Sequence, residues 1–166
     1  MNLLVTYMEL LTPPAGSVAH PAPSGNLEIH AEHLTVDAYL SLYRAIGVPL
    51  TWDLRLRMPV EAVAQFLSAP STRTFVLREA GQPIGLCEFD AAEAEDVELT
   101  HFGLVPAAYG RKLGPFLLAN ALYAVWRAGT RRIWLHTDTN DHPKAQAVYA
   151  RAGFQTYMQR MEDFPD

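Results

Sequence analysis

Gly110 and Gly114 bracket Arg111-Lys112-Leu113, and a long apolar run from Pro115 to Arg127 follows. An apolar strand ending in Phe102-Gly-Leu-Val105 precedes them. A strand that turns through glycine into a helix leaves the first N–H groups of that helix without partners, and the helix dipole favours an anion there. Two glycines also let the backbone turn tightly and come close to a ligand. Arg111 and Lys112 add positive charge at the same point, so the loop is a candidate cradle for a pyrophosphate or similar anion. The alternative is a plain strand-to-helix turn with two solvated basic residues. The spacing is neither G-x-x-x-x-G-K-S/T nor G-x-G-x-x-G.

A second polar run, Leu135-His-Thr-Asp-Thr-Asn-Asp-His-Pro143, gathers His136, Asp138, Asp141 and His142. These are metal-ligand types, but their spacing fits no zinc signature, and no metal is expected. The run reads as the end of a strand and the start of a helix, with Asp141 as N-cap just before Pro143. Cys87 is the single cysteine and lies in the apolar stretch Ile84-Gly-Leu-Cys-Glu-Phe89. It has no intrachain disulfide partner and reads as a small buried hydrophobe rather than a nucleophile.

These residues need a frame to hold them. Leu3 to Leu11 is a β-type run, and Leu27-Glu-Ile-His30 reads as a short strand pairing back on it. Between them residues 12–25, rich in Pro, Ala, Gly and Ser, are expected to form a mobile loop. Thr35 is a helix N-cap, and Tyr39, Leu42, Tyr43 and Ile46 fall at helical spacing before Gly47 and Pro49 end the element. A connection carrying Trp52, Arg55 and Arg57 leads to a helix from Pro59 to Leu67. Arg73–Arg78 and Pro83–Asp90 form a hairpin around Glu79-Ala-Gly-Gln82. The strand Glu98–Val105, the helix Pro115–Arg127, the strand Arg132–Thr137, a short helix and a strand Phe154–Met161 complete the order. Strict alternation places Glu98, Thr100 and Phe102 on one strand face and Val97, Leu99 and His101 on the other. The order predicts an α/β (α+β) fold in one domain, residues 1–166, with a mixed, mostly antiparallel sheet flanked by helices.

Bulk composition narrows the classes. Of 166 residues 49% are hydrophobic and 19% charged, enough to bury a core. A net charge of −5 argues against a general nucleic-acid binder and mildly favours a cationic small partner. The N-terminus lacks a signal-peptide pattern, and no apolar run approaches the ~20 residues that span a membrane, so a cytoplasmic protein without a membrane partner is expected.

Val105-Pro-Ala-Ala-Tyr-Gly-Arg-Lys-Leu-Gly114-Pro-Phe-Leu-Leu118 resembles the acetyl-CoA-binding motif of the GNAT superfamily of N-acetyltransferases. Ala145-Gln-Ala-Val-Tyr-Ala-Arg-Ala-Gly-Phe154 resembles the family's A-x-x-x-Y-x-x-x-G-F ending. The resemblance covers the C-terminal two-thirds well; before that only the layout matches. The family loop is usually Q/R-x-x-G-x-G/A, and here Tyr109 and Lys112 stand at its first and fourth positions. A GNAT-like fold with a strand splay for acetyl-CoA is what the resemblance implies.

It also implies acetyl transfer from acetyl-CoA, a co-substrate, to an amine. Leu104, Val105, Tyr109, Gly110, Arg111, Lys112, Leu113, Gly114 and Pro115 would hold the cofactor, with pyrophosphate on the amides of residues 110 to 115. Phe102 to Val105 would splay from the neighbouring strand and pair with the pantetheine arm. His142, in place of the family's Asn, would take over a polar contact or face the acceptor. Tyr149 would lie near the sulfur and protonate the departing thiolate, its alternative being a core aromatic. Glu98 lies on the strand entering the loop, where several family members place a catalytic Glu, and is the first candidate for the base. A partly buried Glu has a raised pKa suited to that task, while the alternative is a solvent-facing strand residue. His101 is the second candidate. Trp52, Arg55, Glu88 and His136 would line the acceptor pocket, though each is equally an ordinary surface residue. The acceptor is then a small-molecule amine or a peptide or protein amine, and a homodimer, common in the family, is compatible with the resemblance. Two other readings stay open: a catalytically inactive acyl-CoA-binding or regulatory module, and a GNAT fold that uses a longer acyl group.

Overall fold

A computed structural model of the chain describes residues 1–14, 22, 23 and 25–165. Seven strands form one sheet: β1 (Asn2–Leu10), β2 (Leu27–Ala31), β3 (Thr72–Glu79), β4 (Gln82–Asp90), β5 (Asp96–Leu104), β6 (Arg132–Asp138) and β7 (Gln155–Asp163). Among the described residues four α-helices accompany them: α1 (Val36–Gly47), α2 (Val60–Ser68), α3 (Leu113–Val125) and α4 (Ala145–Arg151). Most of the loop expected over residues 12–25 lies outside the described residues. The sheet order is β2-β3-β4-β5-β6-β1-β7, antiparallel except for the parallel pair β5–β6. The mixed α/β fold follows the expected element order. One pairing differs: β2 lies along β3 at the far edge, and β1 inserts between β6 and β7. Short strands record only that they alternate, and which neighbour they take is a long-range choice.

Local chemistry explains the helices. Thr35 caps α1 by accepting from Ala38 N–H at 3.2 Å, and Tyr39, Leu42, Tyr43 and Ile46 form the buried stripe. That stripe packs with Val63 and Leu67 of α2 over Val76 and Leu86 on one sheet face. α3 is apolar nearly all round and packs with Phe75, Leu77, Cys87, Phe89 and Tyr149 on the opposite face. Cys87 is fully buried there, and burial pushes its thiol well up. The β3–β4 turn uses Ala80 at φ 48° and Gly81 at φ 83°, the positive-φ pair that a two-residue hairpin requires.

Two departures from regular strand geometry shape the centre. Glu88 opposes His101 but Phe89 opposes Leu99, so Thr100 is an extra residue in β5. This bulge shifts the alternation: Thr100 and His101 both reach Glu88 on the α1 side, while Phe102 and Leu104 pack with the α3-side core. The strict-alternation placement of His101 with Val97 and Leu99 is therefore corrected. Second, β5 pairs with β6 only over Asp96–Glu98 against Arg132–Trp134. Beyond Glu98 the two parallel strands part, as the expected splay requires.

Candidate active site

The splay opens into a cleft of about 650 Å³, bounded by β5, the Tyr109–Pro115 turn and α4. Among the described residues, no acceptor outside the helix takes the N–H groups of Gly110 to Gly114, and α3 has no side-chain cap. Its N-cap position is Lys112, held at φ 60° and ψ 24°, and Gly110 lies at φ 75°. Lys112 thus adopts the left-handed conformation that glycine adopts freely, at a cost of roughly 1–2 kcal/mol for an L-residue. Pro115 lines the cleft but has no N–H, so it cannot belong to the amide set of residues 110 to 115.

Two other cofactor candidates point elsewhere. The Val105 N–H donates to the Ile84 carbonyl at 2.9 Å, and its side chain packs in the core. Arg111 forms a two-pronged ion pair with Glu79 on the β3–β4 turn, 3.0 Å from Nη1 to Oε1. Leu104, Tyr109, Lys112, Gly114 and His142 do line the cleft. The Tyr109 ring stands edge-on to His142 with centroids 4.8 Å apart, and His142 Nδ1 accepts from Lys144 N–H at 3.1 Å. Lys144 at the N-cap of α4 and Arg151 at its end also line it, a pair missed because an i, i+7 spacing looks like ordinary surface charge. Asp141 is not the helix cap, because the N-cap position is Lys144, three residues later, and α4 begins at Ala145. Its carboxylate accepts from Thr137 at 2.7 Å and from His142 N–H at 2.8 Å, and its burial pushes the pKa up.

Tyr149 is 3% exposed, its ring between Phe102 (5.8 Å) and Phe154 (5.9 Å). Burial pushes its phenol well above the ordinary value. Glu98 sits at the apex of the splay, half-buried, opposite Asp90 on β4 and Trp134 on β6. Loss of water, reinforced by the Asp90 charge, raises its carboxyl pKa. His136 is exposed on β6, its ring 5.7 Å from Tyr7. Among the described residues no three His, Cys, Asp or Glu gather as a metal site.

On the α1 side the polar residues are enclosed. Glu88 has no exposed surface, and its carboxylate accepts from Tyr39 O–H, Thr100 O–H, His101 Nδ1 at 2.8 Å and Arg55 Nη2 at 2.9 Å. Burial alone would raise its pKa, but His101 and Arg55 overcome that and hold it at about 2. His101 Nε2 meets Tyr43 O–H at 3.2 Å, and Tyr43 is pushed up to about 12 by burial. Trp52 covers this group, 4.9 Å from His101 and 5.3 Å from Tyr43. Glu88 therefore faces no pocket; any influence it has on one passes through His101 and Arg55.

The sequence pattern of the acetyltransferase (GNAT) family matches residues 39–154. The chain belongs to that family. An uncharacterized N-acetyltransferase of Mycobacterium bovis is 27% identical over 92 residues, 55% of this chain and 58% of the relative, and one of Mycobacterium tuberculosis matches equally. The chain thus spans under two thirds of the length of the curated relatives it matches. A GNAT structure from Sphaerobacter thermophilus superimposes with TM-score 0.63 and 18% identity over 95% of this chain and 49% of its own. A tandem GNAT protein from the clavulanic acid pathway gives 0.66 and 19% over 95% and 51%. A Thermus thermophilus acetyltransferase gives 0.58 and 22% over 82% and 96%. At these identities the structures show the GNAT fold and nothing finer. Among the described residues no helix is long and apolar enough to cross a membrane.

Proposed function

We propose that this GNAT chain is an acetyl-CoA-dependent N-acetyltransferase that transfers acetyl to a primary amine by direct attack on the thioester. One observation carries the reading: the free N–H groups of Gly110–Gly114 are continuous with the unpaired edge of β5, and Glu98 sits where that edge meets β6. Pyrophosphate would take the loop amides. The pantetheine arm would run along Phe102–Leu104 as an added strand, bringing the thioester to the apex.

The amine nitrogen attacks the carbonyl carbon, the C–N bond forms and the C–S bond breaks. Glu98, directly or through a water, takes the proton that the amine loses, a task suited to its raised pKa. Tyr149 supplies the proton that the thiolate takes up. The acceptor is a small-molecule amine or an amine of a peptide or protein. The rival reading, an acyl-CoA-binding module without turnover, draws on Tyr149, whose buried phenol holds its proton tightly.

Calorimetry with CoA, followed by an amine panel read by thiol release, tests the proposal. Glu98→Gln is expected to lower turnover by about 10²–10⁴-fold while CoA still binds. Unchanged turnover would remove Glu98 from the mechanism. CoA binding without acetylation of any amine would favour the module.

A further inference from the structure

Trp52 stands where the two halves of the site meet. It follows Thr51, which turns the chain at φ 57°, and its N–H donates to the Gly47 carbonyl at 2.9 Å. The indole lies in a seat made by two glycines. A Cβ on Gly47 would come within 2.5 Å of Trp52 Cβ and 2.7 Å of its Cε3. A Cβ on Gly103 would lie 3.3 Å from Trp52 Cη2 and 2.5 Å from Ile46 Cγ2. Gly103 and Leu50 line the cleft, so the tip of the indole rests directly behind the cleft wall on the α1 side. Tyr43 and His101 support the ring, yet it stays partly exposed, so core packing does not use up its surface.

The seat is rigid. Arg55, three residues on, is tied to the buried Glu88 at 2.9 Å, and its N–H reaches the Tyr43 hydroxyl at 3.4 Å. Moving the Thr51–Arg55 segment that carries Trp52 would pull on that buried ion pair, and breaking such a pair is strongly unfavourable, while Gly47, Gly103, Tyr43 and His101 crowd the ring itself. The indole is therefore a fixed wall.

We infer that Trp52 is the acyl-length gauge of this protein: its indole closes the α1 side of the splay and limits the transferred group to acetyl. The inference rests on the acetyl-CoA reading above. In that reading the pantetheine arm fills the cleft from the loop to the apex. On the α3 side Phe102 and Tyr149 pack together with the core, so extra methylenes on the acyl group turn to the α1 side and meet the indole there.

The test is calorimetric binding of free CoA, acetyl-CoA, propionyl-CoA and butyryl-CoA to the full chain and to Trp52→Phe, Trp52→Leu and Trp52→Ala. Thermal melting confirms that each variant is folded. In the unaltered chain butyryl-CoA is expected to bind at least about tenfold more weakly than acetyl-CoA, the lower end of what mismatched methylenes cost in a fitted pocket. The ratio should fall stepwise from Trp through Phe and Leu to Ala. The graded series keeps the idea testable if Trp52→Ala does not fold. Equal affinity for the three acyl-CoAs in the unaltered chain, or the same ratio in the folded variants, overturns the inference while leaving CoA binding intact. If free CoA does not bind at all, the cofactor reading fails and this inference with it.

Discussion

The two sides of β5 follow opposite rules. On the cleft side, donors are left over: five successive N–H groups from Gly110 to Gly114 wait at the start of α3, and Lys112, Lys144 and Arg151 face the same space. On the α1 side, almost nothing is left over: Glu88 accepts from four side chains, and among the described residues Arg55 Nε is the one buried side-chain nitrogen or oxygen without a hydrogen-bond partner. Unsatisfied backbone donors are cheap at an open cleft, where water serves them until an anion arrives, and costly in a core. The cleft thus keeps donors open to solvent, and the α1 side uses its polar groups to hold its shape.

The sharpest way to break this contrast is to remove the central carboxylate. Glu88→Gln leaves Arg55 buried without its counter-charge and should destabilise the fold by roughly 3–5 kcal/mol, read by urea denaturation at pH 7. The same group sets a pH signature. Its folded pKa of about 2 lies below the unfolded value of about 4.3, so its stabilisation is present above the latter and fades as pH falls from there towards 2. Glu88→Gln should therefore lose less further stability than the unaltered chain between pH 5 and pH 3.

A smaller change should act on the cleft side with the opposite sign. Lys112→Gly relieves a left-handed L-residue and should raise stability by about 1 kcal/mol, seen as a higher melting temperature. Because the N–H groups stay in place, CoA binding should survive; loss of binding would mean that the lysine side chain, not the amide cradle, holds the anion. Asp90→Asn removes the negative neighbour that helps raise Glu98. The base works only when ionised, so the acid limb of the kcat/KM profile should move to lower pH. An unmoved limb would assign it to another group. The smallest effect is expected from Glu79→Gln, which frees the exposed Arg111 for phosphate and should tighten CoA binding within about fivefold at low salt.

Much of the frame could be read from short-range signals. Thr35 ahead of Tyr39, Leu42, Tyr43 and Ile46, the Ala80-Gly81 turn, and the glycine-bracketed loop before an apolar helix each express their meaning within a few residues. The features that the sequence did not show share one cause. The partner of β2, the face of His101, the capping of α4 and the destinations of Val105 and Arg111 all depend on residues far away along the chain. Nothing near Arg111 in the sequence reveals that it pairs with Glu79. Glu88 looked like a pocket carboxylate because its partners Tyr39, Arg55 and His101 lie on three different elements.

What the sequence alone determined is the order of elements and the glycine-bracketed turn into α3 at Gly110–Gly114, since caps, turns and periodicity are local properties of the chain. Only the tertiary structure decided the architecture around Glu98. A single extra residue in β5 exists only relative to the strand beside it, and it turns His101 from the α3-side core towards Glu88. Likewise Gly47, Trp52 and Gly103 become one seat only when α1, its following loop and β5 are brought together.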